Sequence, residues 1–283
     1  MAIILLGICM NPKFKKLPIF FSILLFIFFT GWWVVLNFTS AGVEESNRQL
    51  FSTFYALQAL FGGILGLAVG RKWGGFSSYL GRAILFLSLG LLAQVFGQIV
   101  YSYYNLYLKV FVPYPSLGDL GYFGSIPLYI YGAAMLAKAT AVQLNLLKSF
   151  ITRLWAIGLV ALFVLGSLFI LRNGYAPDWG QPLIVFLDFG YPVFQAIYIS
   201  VALITLLISF GKLGGLLRKS ILLVLFAFIV QYTADFNFLY TINNETWQIA
   251  GIGEYFYYFA YLIMTLAIIS LGSVFDRIKS NKF

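Results

Sequence analysis

Four carboxylates sit where an apolar chain normally excludes them: Asp119, Asp188, Asp235 and Glu254 each fall within or at the end of a long hydrophobic run. The other acids lie between runs (Glu44, Glu45, Asp178, Glu245) or after the last one (Asp276). An ionised carboxylate facing lipid costs roughly 2.5 to 3.5 kcal/mol at mid-membrane, so the four are expected to face a bundle interior or a wet cavity. Polar partners recur at helical spacing beside them. Gln94, Gln98, Tyr101 and Tyr104 form one stripe, and Asp188, Tyr191, Pro192 and Gln195 form a second. Gln231, Thr233, Asp235 and Asn237 accompany the third acid, and Glu254 is followed by Tyr257, Tyr258 and Tyr261. Acids, amides and phenols in one place suit a cation, an amine, a polyol or another hydrogen-bonding ligand, and aromatic walls with carboxylates would hold an organic cation. The expected ligand-binding set is Gln94, Gln98, Tyr101, Asp119, Asp188, Tyr191, Gln195, Gln231, Asp235, Asn237, Glu254 and Tyr257.

Much other chemistry is excluded. The chain has no histidine and a single cysteine, Cys9, which disfavours haem, iron–sulfur, zinc and Cys-His nucleophile sites. No catalytic constellation, metal site or cofactor is expected, and no run carries a mid-membrane lysine for a retinal Schiff base. The net charge of +9 is dealt out in threes at the ends of runs and not clustered on one module, so nucleic acid is not an expected partner.

The elements that must position these residues are transmembrane helices. With 61% apolar and only 10% charged residues, the chain has too little polar surface to coat a soluble core. Eight spans are expected at 17–38, 50–70, 83–104, 120–137, 154–171, 183–211, 221–240 and 253–275, each long enough to cross a hydrocarbon core of about 30 Å. The basic residues fall in alternate connections: Lys13, Lys15, Lys16; Arg71, Lys72, Arg82; Lys138, Lys148, Arg153; Lys212, Arg218, Lys219; and Arg277, Lys279, Lys282. The opposite connections hold only Arg48, Lys109 and Arg172, which predicts both termini in the cytoplasm of a cell whose inner membrane holds the chain. On this count all four acids lie in the outer third to half of the membrane, able to line one outward-opening pocket.

The chain also matches itself at an offset of 137 residues. Gln58-Ala59-Leu60-Phe61 falls on Gln195-Ala196-Ile197-Tyr198, Arg82 on Lys219 and Gln98 on Asp235. After a two-residue shift, Gly118-Asp119 with Tyr122-Phe123 falls on Gly253-Glu254 with Tyr257-Tyr258. This predicts two four-helix halves in the same orientation, 17–137 and 154–275, related by an axis along the membrane normal. They are joined by an inner segment, 138–153, whose interleaved Lys138, Leu144, Leu147, Lys148 and Ile151 suit an amphipathic interfacial helix. Residues 1–16 form a cytoplasmic leader and 276–283 a basic tail. The prefix Met1 to Met10 lacks the basic region of a signal peptide and is too short to span, and Met10 stands as an alternative start.

The same residues have structural readings. Asp119 stands three residues after Ser116, as in a capping box, and Glu254 lies in a first turn where the helix dipole favours an acid. Trp32, Trp33, Trp155, Trp179, Trp247 and most outer tyrosines fit an interfacial aromatic belt. Pro127 and Pro192 favour kinks, and Gly62, Gly63, Gly66 and Gly70 give the second span a close-packing face.

Pro113-Tyr114-Pro115-Ser116-Leu117-Gly118-Asp119-Leu120-Gly121-Tyr122-Phe123, followed by Leu128-Tyr129, resembles a signature in the multi-pass membrane input regions of bacterial diguanylate cyclases and sensor histidine kinases. Leu187 to Pro192 and Asp235 to Tyr240 resemble later segments of that region. The chain departs from the pattern at Gly118, where alanine is common, at Glu254, where aspartate is usual, and in lacking a cytoplasmic output domain. The resemblance implies a signal-receiving module with no catalytic residues. The expected function is therefore a membrane sensor-like protein that binds a small ligand near the outer face and signals to a separate cytoplasmic partner. A small-solute or proton-coupled transporter is the alternative. A membrane enzyme acting on lipids fits least well.

Overall fold

A computed structural model describes residues 16–39, 44–110, 113–141, 178–209 and 216–280, with scattered helical positions between 154 and 166. Every regular element among them is helical: α1 (Leu17–Phe38), α2 (Glu45–Phe54), α3 (Leu57–Lys72), α4 (Tyr79–Ser102), α5 (Gly118–Ala141), α6 (Pro182–Ser209), α7 (Arg218–Asn243) and α8 (Ile252–Lys279). In hydrocarbon a backbone must satisfy its own N–H and C=O groups, which long apolar helices do internally. Among the described residues seven stretches are long and apolar enough to cross a membrane, α2 and α3 counting as one, Glu45–Lys72, and α4 with the π-helical Tyr103–Leu108 as another. Large apolar side chains lie exposed around the bundle, among them Phe20, Ile27, Phe28, Ile99, Leu120, Leu183 and Phe226. Such a surface on a soluble protein would be an aggregation face, and it suits lipid.

Seven of the expected spans coincide with these helices to within five residues at the start and four at the end, most helices running longer than expected and α6 ending two residues before 211. The second span differs most. It begins at Glu45, where the Arg48 guanidinium ties the helix start to the polar connections by donating to Leu36 O at 2.7 Å and Ile249 O at 3.3 Å, and it is interrupted at Tyr55 and Ala56. The expected fifth span (154–171) and the linker beyond Ala141 lie largely outside the described residues, as do the leader up to Lys15 and the tail beyond Ser280. The helices α5 and α6 continue past Pro127 and Pro192.

The helices from α3 to α8 each pack on the next in chain order, and α8 returns to pack on α3, so six helices close a ring. On its outside, α1 lies against α8 and α3. Trp33 Nε1 donates to Gly251 O at 3.2 Å and Asn37 Nδ2 to Ala250 O at 3.0 Å, anchoring the C-terminal half of α1. Small residues set the ring's closest seams. Gly62 and Gly66 leave room for Thr265, Ser88 and Ile268, where a Cβ would collide. At the α4–α5 crossing a Cβ on Gly121 would meet backbone, Ala93 O at 2.5 Å and Gly97 Cα at 2.8 Å. One half of the ring's interior is filled, with Tyr129, Tyr198 and Phe228 mutually packed and buried. Arg71, Lys72, Lys138, Arg218, Arg277 and Lys279 gather at that end, where Lys72 lies 4.0 Å from Asp276.

Candidate functional site

The opposite end of the ring is hollow. A cavity of about 560 Å³ opens between the connections that follow α1, α4 and α7, a size typical of small-molecule sites. Its mouth carries the exposed Glu45, Pro113 and Gln248, and its depth the buried Tyr55, Gln98, Asp235, Glu254 and Tyr257. Phe238, Leu239 and Ile242 supply an apolar wall, Tyr101, Tyr122 and Trp247 an aromatic one.

Three of the four carboxylates line this space, each held by neutral donors. Asp235, on α7, accepts from Tyr257 Oη at 2.6 Å, Gln195 Nε2 at 2.5 Å and Gln231 Nε2 at 3.1 Å. Glu254, in the first turn of α8, accepts from Ser52 Oγ at 2.6 Å and from the backbone N–H of Ala250 at 2.9 Å. Asp119, in the first turn of α5, accepts from the backbone N–H of Ser116 at 2.7 Å and from Tyr191 Oη at 2.9 Å. The capping contact expected of Asp119 is thus made by one oxygen, while the other holds a tyrosine of α6 that also lines the cavity. Its capping and cavity roles coexist.

Asp188 lies one step away. It does not line the cavity but accepts from Tyr114 Oη at 2.8 Å, and Tyr114 does line it. The segment from Pro113 to Asp119 is therefore clasped to α6 by two phenol–carboxylate bonds running in opposite directions, Tyr114 to Asp188 and Tyr191 to Asp119. Those four residues belong to the motifs that carry the family resemblance.

Of the twelve expected ligand residues, Gln98, Tyr101, Asp119, Tyr191, Asp235, Glu254 and Tyr257 come together on the cavity wall. Gln94, Asp188, Gln195, Gln231 and Asn237 do not line it. Gln195 and Gln231 bind Asp235 from behind, and Gln94 bridges Ser125 Oγ at 2.7 Å and Tyr261 Oη at 3.0 Å beneath the floor. Counting along a helix gives depth and a stripe, but a stripe includes residues turned toward the neighbouring helix as well as into the space. Tyr55, Asn105, Tyr114, Tyr122 and Trp247 also line the cavity and are not among the twelve expected residues. Trp247 and the outer tyrosines have the composition of a membrane belt, and a phenol or indole at a helix end looks the same whether it meets headgroups or a cavity. Trp247 Nε1 donates to Tyr101 Oη at 3.3 Å, inside the site.

Gln98 is the hub of the α4 side. Its Oε1 accepts from Tyr55 Oη at 2.9 Å and Tyr122 Oη at 2.7 Å, and its Nε2 donates to Ser52 O at 2.7 Å. Asn105, in the π-helical turn, is 8% exposed and lines the cavity, and its Nδ2 makes no hydrogen bond of normal geometry although it lies beside Tyr101. No family model, curated protein or solved structure matches this chain.

Proposed function

We propose that the chain is a receptor-like membrane protein that binds a small ligand in this cavity from the outer side and relays its occupancy to a separate cytoplasmic partner. The single observation that carries the reading is the cavity itself: three carboxylates, amides and aromatic walls converge at the end of the ring opposite the basic residues. The positive-inside rule then puts the cavity mouth outside and both termini in the cytoplasm of an inner-membrane protein with eight spans. The described helical positions at 154, 157–158, 160–162 and 164–166 support the fifth.

Two parallel four-helix repeats are part of the proposal, supported by paired contacts. Tyr122 donates to Gln98 as Tyr257 donates to Asp235, and the matched acids Asp119 and Glu254 each accept a backbone N–H from the turn before their helix. Each acid also accepts from the second span of the other half, Asp119 from Tyr191 and Glu254 from Ser52.

Binding is favoured over transport because the interior toward the basic end is packed with Leu87, Tyr129, Tyr198, Phe228 and Ile268, all buried. A ligand shifts a two-state equilibrium only by its differential affinity, so relay to a partner requires a second arrangement of the helices. The test has two arms. In a Cys9→Ser background, a single cysteine at Gln248 is expected to react with a membrane-impermeant maleimide on intact cells; protection there and reaction only after lysis would invert the topology. A thermal-stability screen of water-soluble small molecules on the protein in lipid nanodiscs is expected to yield stabilising compounds that are not carried across proteoliposomes. Asp235-dependent flux would establish the transporter reading instead.

A further inference from the structure

The cavity's charge is unbalanced. Asp119, Asp235 and Glu254 receive hydrogen bonds from phenols, amides, a hydroxyl and backbone N–H groups, and no lysine or arginine is paired with any of them among the described residues. The one cation on the lining, Arg48, is committed to the carbonyls of Leu36 and Ile249. An ionised carboxylate buried in a low-dielectric site without a cation is costly, and a cation bound among these three groups offsets that cost. The carboxylates are not grouped so as to share a metal ion. The space between them is instead walled by Tyr55, Tyr101, Tyr122, Trp247 and Tyr257, whose ring faces attract organic cations. An independent feature is Asn105, more than nine-tenths buried, on the cavity wall, with an amide N–H group lacking a partner of normal geometry. A buried donor left unsatisfied is costly, and it asks for an acceptor.

Building on the reading of this cavity as a ligand site, we infer that its ligand is an organic cation bearing a hydrogen-bond acceptor, with its positive centre among Asp119, Asp235 and Glu254 and its acceptor on Asn105. Arg48 ties α2 to the 244–251 connection and to α1 at the rim of the cavity, and takes no part in charge recognition.

The test pairs cations with neutral compounds of like shape. Choline is compared with 3,3-dimethylbutan-1-ol, and phenethylamine with 2-phenylethanol, by thermal stability and by titration on the full chain in nanodiscs. The wild type is expected to bind each cation at least about tenfold more tightly than its neutral counterpart, the scale of one ion contact in a partly desolvated site. Glu254→Gln and Asp235→Asn are chosen because both can keep their contacts: the new amide donates to Ser52 Oγ or Tyr257 Oη while its oxygen accepts from Ala250 N–H or the two glutamines. Each is expected to remove most of that preference without loss of folded protein. Asn105→Ala is expected to weaken choline several-fold and leave phenethylamine, which has no acceptor, unchanged. If the neutral compounds bind as tightly as the cations and compete with them, the cation assignment is overturned while the ligand-site reading stands. Absence of binding by all four overturns the assignment, and the ligand-site reading falls with it only if the broader screen is also blank. Equal weakening of both cations by Asn105→Ala removes the acceptor half.

Discussion

Gln98 on α4 and Asp235 on α7, which lie 137 residues apart, each accept a phenol from the helix that follows, yet they impose different chemistry on their neighbours. An amide has both kinds of hydrogen-bonding group, so Gln98 satisfies itself by accepting from two tyrosines and donating to Ser52 O. A carboxylate takes donors only, and Asp235 recruits two glutamines besides its tyrosine. The matched glutamines diverge accordingly: Gln195 turns to Asp235, whereas Gln58 turns to Ser22 on α1 at 2.6 Å and leaves its Oε1 without a partner. The α4 position thus brings a neutral amide to the cavity wall and the α7 position a carboxyl group. Two similarly placed residues that differ as amide and acid therefore need neighbours that turn to match them.

The comparison can be broken at its closest seam. A methyl group on Gly121 meets the backbone of α4, which cannot yield, whereas one on Gly253 meets the side chains of Asn237 and Trp247. Gly121→Ala is expected to cost about 3 kcal/mol, the upper range of overpacking, and Gly253→Ala about 1 kcal/mol, read from chemical denaturation in mild detergent. Equal costs would mean that the α4–α5 crossing is no tighter than its counterpart. The phenol pair sharpens it next. Tyr257→Phe removes a donor from a carboxylate and is expected to cost about 1.5 to 3 kcal/mol, against about 0.5 to 1.5 for Tyr122→Phe, which leaves Gln98 with Tyr55. A larger loss at Tyr122 would reverse the assignment of charge to the α7 side. The smallest contrast lies at the glutamines. Gln58→Leu is expected to change stability by about 0.5 kcal/mol, since Ser22 can turn to its own helix backbone. Gln195→Leu, which strips Asp235 of a donor, is expected to cost about 1.5 kcal/mol or more.

The apolar runs and the alternating basic residues made the helical class and most of the spans legible. The boundary at 17–38 coincides with α1, while the second span was misjudged by five residues because Arg48 is polar in composition but structural in its bonds. For the site, the carboxylates were legible because buried charge is expensive and so has a purpose. Their depth could be counted, which brought Asp119, Asp235 and Glu254 to one space. The azimuth could not be counted, and Asp188 and Gln195 ended behind the wall. Asn105 gave no signal, since its position depends on a π-helical turn that repositions one residue after α4. Tyr114 was legible only as part of a motif, and its bond to Asp188 gives that motif a physical purpose.

A closed ring also obeys a constraint that an open bundle does not. Its helices share one circumference, so widening at any seam is matched by narrowing elsewhere or by bending of a helix. At its closest crossing, Gly97 against Gly121, the α4–α5 seam sets backbone against backbone with no side chain between to give up. Any breathing of the cavity mouth must then be divided among the other five seams, two of which, α5–α6 and α7–α8, are laced across by the tyrosine–carboxylate bonds of the cavity wall. The mouth and the lacing are mechanically one object: whatever loosens a phenol from its acid also changes how far the ring can open.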